Sequence, residues 1–513
     1  MVTPGIAKYR QWAEAGYRFI PVYSEEFNNA ETPVTLFAKL TEGKGRFLLE
    51  SAEQGNQTGG YSFIGWQPLM TFTATGRELT LTTPVRSTVR LGEPLAIVKE
   101  ELDTLRVPSF PELSPFYGGA VGYIGYDYVR QLERLPAQTR PLTGLPDLFF
   151  VVPRYLVRLD HVTHKLTTIV LSRVDPEDVD GSYRQAVQEL VKIRDRLGQK
   201  LPSLPPLPLP GQDQAKGSQA AAGCTTLSQS QFMALVEQIK AAIRAGEVRQ
   251  VVLSHRIRQA YHGDPFFFYR VLRRVNPSPY LFYLDCGDHQ LAGSSPETLV
   301  RLTDGRVTVK PIAGTRPRGR TAAEDERLRQ ELLNDGKERD EHLMLVEAGR
   351  EELARVCRPE SVRITALMSV EFYSHVIHLV STLEGDLLPA CSAFDLLRAV
   401  FPAGTLTGAP KRRAMEIIEA LELTRREFYG GCVGYFGFNG NLDTCITIRT
   451  ALFYANQVHF QAGAGIVAGS DPRREYEETL NKAAALFTAL TRAGGEAGDG
   501  HPAKSKRLEK EIS

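Results

Sequence analysis

Apolar residues recur along this chain with two different periods. In SQSQFMALVEQIKAAIRAG, Phe232, Val236, Ile239 and Ile243 fall at spacings of four, three and four. That is one face of an α-helix, and Gly246 supplies its stop. RFLLES, LTLTT and HKLTTIVLSRV read as strands instead, as do QVVLSHRI, PYLFYLD, CITIRTALFY and HFQAGAGIV. A charged helical region is predicted from about Thr321 to Cys357, broken near Asp335-Gly336. A closing helix is predicted to start at Ser470-Asp471-Pro472, a capping residue followed by proline in the first turn. Hairpin spacing, rather than strict βαβ alternation, predicts an α+β fold built on antiparallel sheets.

The periodicity fails in two places. Residues 201–224, beginning LPSLPPLPLPG, carry no apolar period and read as a proline-rich linker or surface insertion. Residues 494–513 are polar and read as a disordered tail. The chain therefore divides into an N-terminal region, 1–200, and a C-terminal region, 225–493. One phrase occurs in both. FYGGAVGYIGYD at Phe116 and FYGGCVGYFGFN at Phe428 agree at eight of twelve positions. A repeat so widely spaced points to two related sheet regions, not to a solenoid array.

Charge narrows the partners. With 61 Lys and Arg against 60 Asp and Glu, the net charge is +1. No global field attracts nucleic acid or an acidic membrane, so an anionic substrate must be met by local basic groups. No apolar run approaches the length of a membrane span, and the N-terminus has no apolar segment of the signal-peptide kind. None of the six cysteines forms a C-x-x-C pair. Free thiols in a reducing cytoplasm are expected.

Candidate chemistry begins with carboxylates. Glu338 and Glu341, and again Glu475 and Glu478, are spaced i, i+3, so each pair shares one helix face. Two such faces meeting would form an all-oxygen pocket suited to Mg²⁺. On spacing alone, two solvated helix faces are the plainer account. Gly463, Gly465 and Gly469 lie ahead of the second helix, where backbone N–H groups can approach an anion, or where a tight turn is needed. Arg449 alternates with apolar residues on a predicted strand, as an edge residue or as a buried carboxylate clamp. His378 lies in an apolar run, where a lone histidine is ordinarily a core residue.

Taken in order, PIAGTRPRG, KERDEHLMLV, SHVIHLVS, PAGTLTGAPKRRAMEII, FYGGCVGY, IRTA, QAGAGIV and EYEETLNKA resemble the chorismate-utilising enzymes. TPVTLFAKL, FLLESAEQG, GYSFIG and FYGGAVGYIGYD extend the resemblance to the large subunits (component I) of anthranilate synthases. The resemblance implies two large antiparallel sheets in a sandwich flanked by helices. It implies conversion of chorismate and ammonia to anthranilate and pyruvate, the first committed step of tryptophan biosynthesis. It implies Glu341 and Glu478 as direct Mg²⁺ ligands, with Glu338 and Glu475 acting through water. Glu338 is also expected as the acid for the departing hydroxyl, and His378 as the group assisting proton loss. Tyr429, Arg449, Lys482, Gly463 and Gly465 are expected at the enolpyruvyl side chain, and Thr315 and Thr405 at the ring. Glu50, Ser51, Asn276, Pro277 and Tyr280 are expected to bind L-tryptophan as a feedback inhibitor.

Two positions discriminate within the family. Ala313 stands where relatives serving folate synthesis typically have a lysine able to attack the ring. Gln250 stands where relatives that add water typically have a lysine base, which ammonia does not need. No nucleophile-elbow cysteine of an amidotransferase is present, so ammonia is expected from a separate small glutamine amidotransferase subunit. Some positions depart from the family pattern. LVEAGREEL replaces the usual LVDLGRNDL, with Glu352 for aspartate; Gly60 replaces an arginine, and Leu281 a methionine. Three alternatives follow: an enzyme that stops at aminodeoxyisochorismate, one that serves the folate branch, and a non-catalytic tryptophan-binding regulator. His378 and Ala313 oppose the first two in turn, and the full set of carboxylates opposes the third.

Overall fold

A computed structural model describes residues 2–51, 60–208, 225–372 and 376–494. Most of the proposed linker, Cys224 and nearly all of the proposed tail lie outside the described residues. Helices and strands fall where the periods place them. The helix Gln229–Arg244 opens with a capping box between Ser228 and Gln231 and buries Phe232, Val236 and Ile239. The charged region is two helices, Ala322–Asn334 and Gly336–Ala354, and Asp335 caps the second. The closing helix runs Pro472–Arg492 from an Asp471 cap.

Every strand pair between named strands is antiparallel, and the strands form two broad sheets. The first runs from Phe19–Phe27 through Lys165–Arg173, Leu148–Asp160, Tyr61–Thr75, Arg46–Ser51, Tyr280–Asp285, His289–Ser295, Thr450–Tyr454 and Gln457–Ile466 to Gln250–Ala260. The second contains Gly119–Ile124, Cys432–Gly437, Leu442–Ile446, Thr298–Thr303, Arg306–Val309 and Val376–Asp386. The long strands Tyr61–Thr75 and Leu148–Asp160 pass from one sheet to the other, with a register break at Pro68/Met70. Hydrogen bonding is therefore continuous through the 22 strands of the described residues.

Alternation along the strands sorts residues into two cores. Phe47, Phe63, Leu156 and Phe282 face one apolar cluster; their neighbours Leu48, Ile64, Val157 and Leu281 face another. The first cluster fills the space between the sheets. The second lies under helices that include Pro33–Leu40, Val179–Leu197, Pro265–Val275 and Pro472–Arg492. This is the expected sandwich, and both halves of the chain build it.

The repeated phrase has a specific place. Its two copies supply Gly119–Ile124 and Cys432–Gly437, which pair with each other, equivalent glycines Gly122 and Gly434 directly opposite. A Cβ at Gly122 would overlap the Phe149 carbonyl oxygen, and one at Gly434 that of Asp443. Side chains cannot be accommodated there. Just ahead of the second copy, Arg426 is wholly buried. It donates to both Glu422 oxygens (2.9 and 2.7 Å) and to the Leu406 and Val252 carbonyls (2.5 and 2.7 Å). Its guanidinium lies over the rings of Tyr126 and Tyr429, one from each copy.

Candidate active site

The floor of the site is a stretch of strand without side chains. Gln457–Ile466 pairs with Gln250–Ala260, with Ser254 opposite Gly463 and Val252 opposite Gly465. These two glycines are thus strand residues, and the tight-turn account does not apply to them. A Cβ at Gly463 would lie 2.9 Å from the Tyr429 hydroxyl. One at Gly465 would lie 2.7 Å from Gln250 Nε2 and 3.5 Å from Glu341 Oε1. Glycine alone lets the Tyr429, Gln250 and Glu341 side chains lie against this strand. Lys482, on the closing helix, reaches the Gly463 carbonyl at 3.0 Å and pairs with Glu478 at 2.6 Å.

Arg449 corrects an expectation. It does not alternate along a strand; it occupies the break between Leu442–Ile446 and Thr450–Tyr454, with φ of 51°. Left-handed backbone at a non-glycine residue costs about 1–2 kcal/mol, so packing must hold it there. Burial lowers the Arg449 pKa, and Tyr429 and Glu478 oppose that shift, which puts all three in one electrostatic neighbourhood.

His378 sits opposite Thr315 in the pairing of Val376–Asp386 with Ile312–Pro317. Its Nδ1 is 3.0 Å from Thr315 Oγ1 and 3.2 Å from the Gly314 carbonyl. A carbonyl only accepts, so Nδ1 carries the proton and Nε2 is the basic nitrogen. Burial pulls the His378 pKa down to about 4, the Gly314 bond opposes this, and the positive charges of Arg449 and Lys482 add to it. An anionic substrate that neutralised those two cations would raise it again.

Each expected metal carboxylate has a protein neighbour. Gln250 Nε2 donates to Glu341. Arg316 donates to Glu338 at 3.1 Å and to Asp335 at 2.7 Å. Glu475 is buried in the first turn of its helix. Among the described residues, no three His, Cys, Asp or Glu side chains gather closely enough to hold an ion as they stand. The Gln250 Oε1 atom is buried without a hydrogen-bond partner.

Tyr429, Gln250, Glu341 and Lys482 thus gather on the two glycines, His378 pairs with Thr315, and the structure adds a residue that the sequence reading missed. Thr405 Oγ1 donates to Glu297 Oε1 at 2.9 Å. Glu297 is 8% exposed, and burial raises its pKa from 4.5 to about 7, with the Thr405 bond and Lys482 opposing. It follows the Ser294-Ser295-Pro296 corner between two strands. The sequence carries no distinctive signal for it, because both flanking strands also hold polar residues. Arg316 was missed as well; it follows PIAGT directly.

The family profile described as chorismate binding enzyme matches residues 44–488. The chain belongs to the chorismate binding enzymes. Within that family it is 44% identical to anthranilate synthase component 1 of Synechocystis sp. over 96% of this chain and 99% of the relative. It is 41% identical to the protein of the same name from Pseudomonas aeruginosa, over 95% of this chain and 98% of the relative. The crystal structure of anthranilate synthase component I from Streptococcus pneumoniae TIGR4 superposes with a TM-score of 0.71 at 33% identity, covering 85% of this chain and 93% of that one. The menaquinone-specific isochorismate synthase of Escherichia coli shares the fold at 20% identity, with a TM-score of 0.68 over 95% of this chain and 99% of that one.

This chorismate binding enzyme has a second cleft, between the sheets and among the residues expected to bind tryptophan. Glu50, Ser51 and Tyr280 line it, together with Tyr61, Tyr435 and Asp443. Asn276 and Pro277 do not; the Asn276 amide donates to Ser294 Oγ at 3.1 Å instead. Arg273 holds both Glu50 oxygens (2.8 Å each), and Tyr269 adds a further bond. The Tyr280 hydroxyl bonds Asp443 at 2.9 Å, and Arg301 bonds Asp443 at 3.0 Å. No helix among the described residues is long and apolar enough to cross a membrane.

Proposed function

We propose that this chain is the large component of an anthranilate synthase, a lyase that converts chorismate and ammonia to anthranilate and pyruvate. The observation that carries the reading is one buried acid, Glu297, sharing a site with the neutral base His378 and the cations Arg449 and Lys482. Chorismate has two carboxylates for the cations and a ring hydroxyl that must leave as water. Ammonia bonds to ring C2, both ring double bonds shift, and the C4–O bond breaks as Glu297 gives its proton to the leaving oxygen; the ammonium group at C2 releases one proton in turn as the arylamine forms. His378 Nε2 then takes the C2 proton as the enolpyruvyl C–O bond breaks, and that proton completes the pyruvate methyl group. General acid–base help of this kind contributes about 10²–10⁴-fold. In this reading the acid role expected of Glu338, which Arg316 engages at 3.1 Å, passes to Glu297. Ala313 offers no nucleophile to the ring, in keeping with the ortho product.

The four helix carboxylates are an oxygen-only set, and that chemistry fits Mg²⁺. Glu341 and Glu478 would hold it directly once turned from Gln250 and Lys482, with Glu338 and Glu475 through water. Bound there, the ion would supply positive charge to the ring carboxylate. A separate glutamine amidotransferase component would supply ammonia, and tryptophan in the second cleft would close the feedback loop. The test is to incubate the purified chain with chorismate, Mg²⁺ and ammonium salt. Fluorescent anthranilate is expected, and Glu478→Gln should abolish the Mg²⁺-dependent rate while the protein stays folded. No turnover refutes the enzyme reading. An aminodeoxychorismate product moves it to the folate branch.

A further inference from the structure

Amination leaves Glu297 with a proton deficit, and this inference rests on the amination reading. Ammonia that bonds to C2 keeps its three protons as an ammonium group. The leaving hydroxyl takes one proton from Glu297 and departs as water. The surplus proton of that ammonium group is released at C2 as the arylamine forms, not at the C4 oxygen, so Glu297 is recharged through water in every turnover. Yet Glu297 is buried behind Thr405.

A cavity touches Glu297 from another direction. Its walls include Glu297 and Thr405, but none of Gly463, Gly465, Tyr429, His378 or Arg449. It follows the helix Gly336–Ala354 along Leu345, Ala348, Gly349 and Glu352, spacings of three, one and three that define a single face. Its volume is about 40 Å³, room for about three water molecules at ~10–15 Å³ each. At the far end Glu352 pairs with Lys411 at 2.5 Å, their side chains 13% and 24% exposed. The cavity thus joins the buried Glu297 carboxylate to a second carboxylate within reach of solvent.

We propose that this cavity is a water-filled proton relay, with Glu352 as the group that recharges Glu297 from bulk solvent after each amination. A proton passes from Glu352 along bridging waters to the Glu297 carboxylate, and Glu352 recovers one from bulk water or a buffer acid. Glu352 does not touch the substrate; it is a positioning and relay residue. Burial raises its pKa, and Lys411 opposes that, which keeps it able to exchange protons with Glu297. A purely structural role would be to tie Gly336–Ala354 to the helix Lys411–Leu421.

The test measures kcat for Glu352→Gln across neutral and alkaline pH with free ammonia held constant. The loss expected is at least about tenfold, below the ~100-fold minimum for losing the acid itself. It should grow with pH, while KM for chorismate and for ammonia stays unchanged. Imidazolium buffer should restore the rate in proportion to its concentration, and Glu352→Asp should be close to wild type. Ala348→Phe, which fills the cavity, should slow kcat in the same way. Ordered water between Glu297 and Glu352 in a crystal structure is the independent sign. A Glu352→Gln variant with wild-type kcat at every pH overturns the relay, as does a loss that no buffer acid restores, or a dry cavity. A wild-type chain that makes no anthranilate refutes the amination reading instead.

Discussion

Glu297→Gln keeps the size of the side chain and the acceptor for Thr405, and removes only the transferable proton. The structure sets the size of both consequences. Loss of a general acid costs about 10²–10⁴-fold in kcat, or roughly 2.7–5.4 kcal/mol of transition-state stabilisation. KM for chorismate should barely move, because the proton is used only as the C–O bond breaks. The pH dependence follows from the direction of the shift. Burial raises the Glu297 pKa from 4.5 to about 7. The acid is therefore loaded below about pH 7, and the wild-type rate per free ammonia should fall above it. The variant should lack that alkaline limb. Stability should move the opposite way. A folded-state pKa above the unfolded one favours the fold at low pH, and the benefit disappears as pH rises from 4.5 through about 7. Above that range the ionised, buried carboxylate costs up to about 3 kcal/mol, which glutamine avoids. The variant should thus be slower and, in urea at pH 8, more stable. Anthranilate fluorescence and urea unfolding at pH 5 and pH 8 read both quantities. A variant retaining more than a tenth of wild-type kcat, or keeping the alkaline limb, would refute the assignment of Glu297.

Further consequences are open to simple assays. Tyr429→Phe should slow catalysis more than Tyr117→Phe, because Tyr429 faces Gly463, whereas Tyr117 only packs and bonds the Pro108 carbonyl at 3.3 Å; steady-state kinetics of the two variants should rank them so. Arg426→Met should lower the urea midpoint by about 3–5 kcal/mol of stability, since it strands the buried Glu422 carboxylate, and an unchanged midpoint would show that the pair contributes nothing. Tryptophan should bind the second cleft, and Asp443→Asn should weaken that binding by calorimetry, because Asp443 fixes both Tyr280 and Arg301 there. Equal affinity in both proteins would place the inhibitor elsewhere.

The elements were legible where one period dominates. Phe232, Val236 and Ile239 announced their helix, and the Asp471-Pro472 cap announced the last one. The site was legible only in part. Glu341, Lys482 and His378 come together because strands far apart in sequence become neighbours, and periodicity carries no record of that pairing. The Arg449 break was hidden because CITIRTALFY alternates cleanly, yet packing forces one residue out of the ladder. Glu297 was hidden because a glutamate after Ser-Pro looks like any loop carboxylate. Only its burial, a tertiary property, makes it an acid.

The pairing of the two FYGG copies bears on how the chain can be divided. Arg46–Ser51 with Tyr280–Asp285, and Gly119–Ile124 with Cys432–Gly437, are seams between the N-terminal and C-terminal regions. The second seam has a local two-fold axis through Gly122 and Gly434, the arrangement that joins identical subunits in a symmetric dimer. Cutting the backbone between residues 209 and 224 would therefore not release two domains. It would create an obligate heterodimer, each fragment exposing the bare edge of an unfinished sheet until it met the other.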